Sequence, residues 1–341
     1  GSFDDRIVHP LMCVELCNGC SIGCWFCGIS AEKYQGYWPY TKENAQLWKG
    51  ILTVMHELFG SAAGTGFCYW GTDPCDNPDY PKFTQDFRDV LGGLPQCTTA
   101  APLKNVDLTR EILSLSNKDP NIVNRFSVLN LKLLRQIHAT FTPEELLTVE
   151  LVLQNKESFN KKSMAGRAIT RKEKLEAKQK PLDKLMSELS ESPSSIACVS
   201  GFLLNMPLGR IQLITPKRAG EKWPLGYAII AEAYFKTVDE FRQAILDLLE
   251  SHAHSNVLKQ EKISLRGDVV YKKKDKEWTL STYYCTLPIE DAQMIKVLGY
   301  IAEDKYSYHE IISKVSSEGG NVFAAMGSIN ELYEKGFLSE I

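Results

Sequence analysis

The chain has 341 residues, a formal net charge of −3 and charged side chains at 24% of its positions, a balance that excludes a protein coating nucleic acid by charge alone. The length suits one large domain with one or two smaller ones; no apolar run reaches the ~20 residues of a membrane span, and no signal peptide is visible. Ten cysteines are too few for a disulfide scaffold, and five stand before residue 28, which points to a metal site in a reducing, cytoplasmic setting. The leading Gly1-Ser2 and the missing initiator Met read as a cleaved tag on a trimmed N-terminus.

In chain order, Leu11 to Leu16 reads as a short buried strand that delivers the chain to a thiol-rich loop. A helix is predicted from Thr41, with Leu47, Trp48, Ile51, Leu52, Met55, Leu58 and Phe59 on one face and Gly60 as its stop. A strand at Gly66 to Trp70 leads through Gly71-Thr72-Asp73-Pro74 into a helix at Tyr80 to Leu91. The pattern repeats: strand Gln96 to Ala100, helix Val106 to Leu115, strand Arg125 to Leu129, helix Leu131 to His138, strand Val149 to Leu153. Such alternation implies parallel βαβ units with ligands at the carboxyl ends of the strands.

From Lys156 to Lys184 ten Lys or Arg face four Asp or Glu, with few large apolar residues. The expectation is a solvated helical linker, the alternative a basic arm that contacts an acidic peptide. Ala165-Gly166-Arg167-Ala168 within it is too short to be specific. Strands follow at Ile196 to Asn205, Arg210 to Ile214 and Tyr227 to Phe235, then a helix at Val238 to Leu249. The last section carries short strands at Ile263 to Leu265, Val269 to Tyr271 and Trp278 to Tyr284, then helices near Ile289 to Ala302, Tyr308 to Val315 and Val322 to Lys335. That is a winged-helix order, but Glu290 to Ile341 holds four Lys or Arg against nine Asp or Glu. Acidic balance opposes DNA binding and favours a peptide strand added to a sheet edge. The expected layout is therefore a 1–155 βα core, a 156–190 basic linker, 191–256 completing the main domain, and 257–341 a winged-helix-like α+β domain.

Cys20, Cys24 and Cys27 form C-x3-C-x2-C with no second hook of the kind a structural zinc site uses. Three thiolates suit a soft metal centre and would leave one iron of a four-iron cluster open. This triad, with Phe26 before the last cysteine, resembles the radical S-adenosylmethionine (SAM) signature. By that resemblance the fold is a partial (β/α)6 barrel, the thiolates hold a [4Fe-4S] cluster, and the open iron chelates SAM. Phe26 then lies near the adenine. Gly71, Thr72 and Asp73 occupy the place of the glycine-rich motif, although the usual Gly-Gly-Glu is absent. Thr98, Thr99, Arg125, Ser127 and Gln154 are the polar strand residues expected at the SAM carboxylate and ribose. Arg125 leads them, since a buried guanidinium wants a carboxylate.

The resemblance narrows further. Gly23-Cys24-Trp25-Phe26-Cys27-Gly28, Tyr69-Trp70-Gly71-Thr72-Asp73-Pro74 with Asp76-Asn77-Pro78, Asn124-Arg125-Phe126-Ser127-Val128-Leu129, Val152-Leu153-Gln154-Asn155, Ser200-Gly201-Phe202 with Asn205-Met206, and Trp223-Pro224-Leu225-Gly226-Tyr227 are similar to the proteusin-type radical SAM peptide epimerases. That family implies L- to D-residue conversion in a ribosomally made precursor peptide, with a C-terminal domain resembling the recognition element for the peptide's leader. It also implies a reductant such as a flavodoxin or ferredoxin. Epimerisation needs a hydrogen donor on the face opposite abstraction, and a cysteine thiol has a weak S–H bond. Cys198 is the expected donor, on a strand near the barrel mouth, and Cys285 the runner-up. Rival expectations are another radical SAM peptide maturase, such as a cross-linking one, and a zinc-containing winged-helix binder. Only Cys198 and Cys285 lie beyond residue 97, too few for the auxiliary clusters of a cross-linking enzyme.

Overall fold

A computed structural model describes residues 10–118, 122–154, 158, 162–177, 189–193, 197–252, 261–274, 277–282 and 286–339. The fold is mixed α/β and divides into two compact units, His9–Asp247 and Leu248–Ile341.

In the first unit, β1 (Met12–Glu15) is buried along its whole length. Short strands β2 (Cys17–Asn18) and β3 (Gly36–Tyr37) pair antiparallel just after it. Helix α1 (Lys42–Phe59) starts where Thr41 accepts from the Asn44 amide and buries Trp48, Ile51, Leu52 and Met55. Gly60 closes it. Helix α2 (Tyr80–Leu91) ends at Gly92, whose φ of 86° is left-handed. Strands β4 (Thr98–Thr99), β5 (Asn124–Val128) and β6 (Val149–Leu153) run parallel, joined through α3 (Val106–Ser116) and α4 (Leu131–Thr140). Phe126 and Val128 of β5 pack with Leu113 of α3 and Ile137 of α4. Side chains alternate across a strand, so Arg125 and Ser127 face the opposite, uncovered side.

Two strand expectations in this unit are corrected. Gly66 to Trp70 forms one parallel bridge, Phe67 beside Cys13, with Val14 N–H donating to Phe67 O at 2.9 Å. Gly66 passes so close to Met12 that a Cβ would stand 2.8 Å from its side chain. The chain then bends at Gly71, too soon for a ladder. The expected linker is also a built element. Strand β7 (Lys162–Met164), helix α5 (Arg167–Ala177) and strand β8 (Leu189–Pro193) make a parallel βαβ unit. Its buried residues include Ala165 and Ala168, small side chains that close backbone approach covers without large apolar groups. Composition misses that kind of core.

Strands β9 (Gly201–Asn205), β10 (Arg210–Pro216) and β11 (Tyr227–Tyr234) complete a four-stranded sheet in the order β1-β9-β10-β11. β1 and β9 are parallel, with Met12 beside Phe202 and Glu15 beside Asn205. Among the described residues, the strands expected to line one partial barrel thus fall in two hydrogen-bonded sheets. Helix α6 (Val238–His252) follows, with Phe241 and Ile245 buried.

In the second unit, β12 (Val270–Lys274), β13 (Glu277–Ser281) and β14 (Thr286–Ile289) form an antiparallel meander. Helices α7 (Ala292–Ala302), α8 (Tyr308–Ser317) and α9 (Val322–Glu334) follow. Ser307 and Glu310 form a capping box at α8. Trp278, Leu280, Val297, Leu298, Ile311 and Ile329 share one core. Two expectations shift. Ile263 to Leu265 contributes one bridge, Leu265 to Leu338, and the third strand is β14, unforeseen because it contains Pro288. An edge strand tolerates that proline, since its missing N–H faces away from the ladder. No described helix is long and apolar enough to cross a membrane.

Candidate functional site

The cysteine loop leaves the carboxyl end of β1 and is closed at its neck by backbone pairing. Cys17 pairs with Tyr37 and Asn18 with Gly36. The Cys20 N–H donates to Glu32 O at 2.9 Å and the Gln35 N–H to Asn18 O at 2.8 Å. Gly19 sits in the neck at φ 74° against the Lys33 carbonyl, where a Cβ has no room. Turns then follow each other: Cys27 N–H donates to Cys24 O, and Ser30 N–H to Cys27 O.

Cys20, Cys24 and Cys27 are half-buried, while Cys17 points into the core. Burial and then the neighbouring Cys20 and Cys27 sulfurs push the Cys24 thiol up to about 12, so the three sulfurs feel one another. Cys20 Sγ accepts from the Ile22 N–H at 3.5 Å and Cys27 Sγ from the Ala31 N–H at 3.4 Å. Among the described residues, no three His, Cys, Asp or Glu side chains converge as ligands on a single ion do. Three soft donors on a pinched loop, two of them hydrogen-bonded by backbone amides, fit a cluster that gives each thiolate its own iron.

Three acids brace this end, and the sequence reading gave two of them no role. Asp76, with no exposed side-chain surface, accepts from the Ser21 N–H at 2.8 Å, the Ser21 hydroxyl at 2.6 Å and Lys104 Nζ. It therefore grips the residue next to Cys20. Glu15 ends β1 and accepts from the Gly71 N–H and from Asn205 Nδ2, each at 2.8 Å. Burial pushes its carboxyl up, against those two bonds. One signal was available: Glu15 is the sole charged residue in an otherwise apolar strand. Asp76 stands in a phrase that carries the resemblance, yet its bracing role is not local, since its partners stand 55 and 28 residues away.

Asp73, the third, was expected in the place of the glycine-rich motif. Its Oδ1 accepts from the Cys75 N–H at 3.0 Å and the Thr99 hydroxyl at 2.7 Å, and its Oδ2 from the Ala100 N–H at 2.8 Å. It is buried and engaged by its own loop, and Thr99 is engaged with it. Burial raises its pKa despite these bonds. Thr98, on the other side of β4, donates to Tyr69 Oη at 3.1 Å and accepts from Gln96 Nε2 at 2.9 Å. Thr72, Ser127, Gln154 and Phe26 are half-buried, with Phe26 edge-on to Trp25 at 5.3 Å.

Arg125 is a correction. It was expected as a buried guanidinium, yet its side chain is 53% exposed, and its Nε donates to Glu150 Oε2 at 2.8 Å. The apolar residues of β5 claim the helix-covered side, so Arg125 faces the open one, and the parallel register sets Glu150 beside it.

Cys198 is corrected in position too. It stands three residues before β9, whose Phe202 lies beside Met12. Its neighbours Ala197 and Val199 share a core with Cys13, Trp70 and Leu203, against which Ile29 of the cysteine loop also packs. Cys198 is exposed, yet surrounding protein pushes its thiol up while the Arg125 charge pulls it back. Its charge also acts on Cys13 and Tyr69. Tyr69 Oη in turn donates to Gln96 Oε1 at 2.5 Å. An exposed thiol, an exposed ion pair and a tyrosine network thus gather within electrostatic reach of one another. Cys285 lies outside the described residues.

The Ala165-Gly166-Arg167-Ala168 run packs on the cysteine loop. The Arg167 N–H donates to Cys27 O at 3.0 Å and the Gly166 N–H to Pro224 O at 2.8 Å.

No protein-family profile matches the chain. It is 42% identical, over 340 residues, to the uncharacterized protein y4wI of Sinorhizobium fredii, and spans 66% of that protein's length. A solved structure of BtrN in complex with AdoMet and 2-DOIA is similar at 12% identity and a TM-score of 0.34, covering 60% of this chain and 72% of that one, a likeness too distant to argue from.

Proposed function

We propose that the chain is a radical SAM enzyme, and within that class an epimerase that converts L- to D-residues in a ribosomal precursor peptide. The observation that carries the reading is the presence of two distinct thiol sites. Cys20, Cys24 and Cys27 lie half-buried on the loop after β1, and Cys198 is an exposed thiol just before β9, between Ala197 and Val199, whose core Ile29 of the cysteine loop packs against. Inversion at carbon requires hydrogen removal and hydrogen return from opposite faces, so the two sites must flank the substrate.

When bound, a [4Fe-4S] cluster on the three thiolates with SAM would supply a 5′-deoxyadenosyl radical that takes a Cα hydrogen. The chain's residues do the rest. Phe26, Gly71, Thr72, Ser127 and Gln154 are the contacts for SAM. Asp73 and Thr99 shape the loop behind them, and Arg125 and Thr98 belong to the far end. Cys198 gives a hydrogen atom to the opposite face of the substrate carbon. Its sulfur is then restored by one electron and one proton, supplied through a flavodoxin- or ferredoxin-type reductant in the cytoplasm. The product carries its hydrogen on the face away from the radical, so conversion is irreversible.

The second unit is the proposed leader-binding domain. β12 is an edge strand of the meander, exposed at all five residues, which supports capture of an extended peptide by strand addition. The test is anaerobic purification with iron and sulfide analysis, then reaction with SAM, reductant and precursor peptide in deuterium oxide. Each D-residue should carry one deuterium at Cα with no other change in peptide mass. A colourless, iron-free protein, or product without the label, sinks the reading.

A further inference from the structure

We infer that residues 164–171 form a strap that holds the cysteine loop in its ligand-presenting shape, with Gly166 and Arg167 as positioning residues. The inference rests on the proposed cluster site for its function, though not for its geometry.

A loop that leaves a sheet and returns to it must find partners for its own carbonyls. Between Cys24 and Ala31 one distant residue serves three of them. The Arg167 N–H donates to Cys27 O at 3.0 Å, its Nη1 to Cys24 O at 3.4 Å, and its Nη2 to Ala31 O. Two of these carbonyls belong to expected cluster ligands. The planar fork of a guanidinium can reach two carbonyls at once in a fixed geometry, which a lysine ammonium cannot match.

Gly166 is what brings the strap so close. Its φ is 54°, and a Cβ there would collide with Gly28 O, stand 2.7 Å from Ser30 Oγ and lie 2.8 Å from Cys27 O. On its other side, its N–H is held by Pro224 O at 2.8 Å, in the turn between β10 and β11. The loop is thereby fastened, through one glycine, to the four-stranded sheet. Packing extends the contact along α5: Trp25 and Ile169 pack against Met164 and Ala168, and the Arg171 guanidinium stands over the Trp25 ring at 5.4 Å. Trp25 sits between two expected ligands. The basic composition of this stretch therefore serves the loop rather than solvent alone.

Two readouts test the strap. The first is amide hydrogen exchange of residues 24–31 in the iron-free protein. The second is the rate at which a chelator strips iron from the anaerobically reconstituted protein. Arg167→Gln should speed both by roughly tenfold, the factor expected from one or two lost hydrogen bonds. Arg167→Lys should fall between it and wild type. Gly166→Ala should act at least as strongly, with less iron taken up per chain. Lys132→Gln, on the exposed face of α4, should leave both rates unchanged. Wild-type exchange and iron lifetime in both Arg167→Gln and Gly166→Ala would overturn the inference. If Gly166→Ala does not fold, Arg167→Gln alone decides. If wild type takes up no iron, the cluster reading falls, and hydrogen exchange still decides whether the strap braces the loop.

Discussion

The two ends of the parallel strands in the first unit are built on different principles. At the carboxyl end, three buried acids face backbone amides. Glu15 holds Gly71, Asp73 holds Cys75 and Ala100, and Asp76 holds Ser21. Each carboxylate is engaged by the loop it shapes, so the cysteines are presented on a preorganised support. At the amino end, the Arg125–Glu150 pair is more than half exposed, and the Arg125 charge reaches the exposed Cys198 thiol. Under the proposed function, a site that would hold an inorganic cluster benefits from rigidity, while one that would admit successive residues of a peptide must stay open.

The largest expected effect separates the ends by function. Cys198→Ala should reduce D-residue formation to background while 5′-deoxyadenosine is still released, measured by chiral amino-acid analysis beside nucleoside chromatography. Unchanged epimerisation would remove Cys198 from the reaction. At the braced end, Asp76→Ala leaves the Ser21 amide and Lys104 without their shared acceptor. It should cost about 2–3 kcal/mol of stability, read from denaturant unfolding; a loss below about 0.5 kcal/mol would show that the brace is dispensable.

Glu15 yields a smaller, pH-dependent effect. Burial raises its folded pKa above the unfolded value of about 4.3. The group's contribution to stability is therefore greatest below that pH and is lost as pH rises through the folded pKa. Glu15→Gln removes this loss, so stability of the variant relative to wild type should improve as pH rises from about 4.3 to the folded pKa and stay level above it. A pH-independent difference between the two unfolding curves would refute it. The smallest effect belongs to the open end. Arg125→Gln breaks an exposed pair and should change stability by no more than about 1 kcal/mol, and a much larger fall in melting temperature would mean that this end is as braced as the other.

Legibility in the sequence followed the range of the forces involved. Helices α1 to α4 were readable because helical periodicity and the turns at their ends are local, as with Thr41 before α1 and Gly60 after it. The cysteine triad was readable for the same reason, since three thiols within eight residues leave a pattern in the chain. Three features were not. β14 hid behind Pro288, which only an edge position permits. The β7–α5–β8 unit looked like a solvated linker because its core contacts are made by Ala165, Gly166 and Ala168, whose burial depends on what approaches them. Arg125 looked buried because strand residues of a parallel sheet usually are.

By itself, then, the sequence determined the order of elements, the thiol loop and the identity of its three candidate ligands, because these depend on neighbours within a few residues. Tertiary structure alone decided which acids hold the loop, that the Arg125 charge reaches Cys198, and that Gly166 and Arg167 reach the loop from about 140 positions away. Those outcomes depend on strand register and on backbone passing within van der Waals contact of backbone, and neither is encoded in the residues of any one stretch.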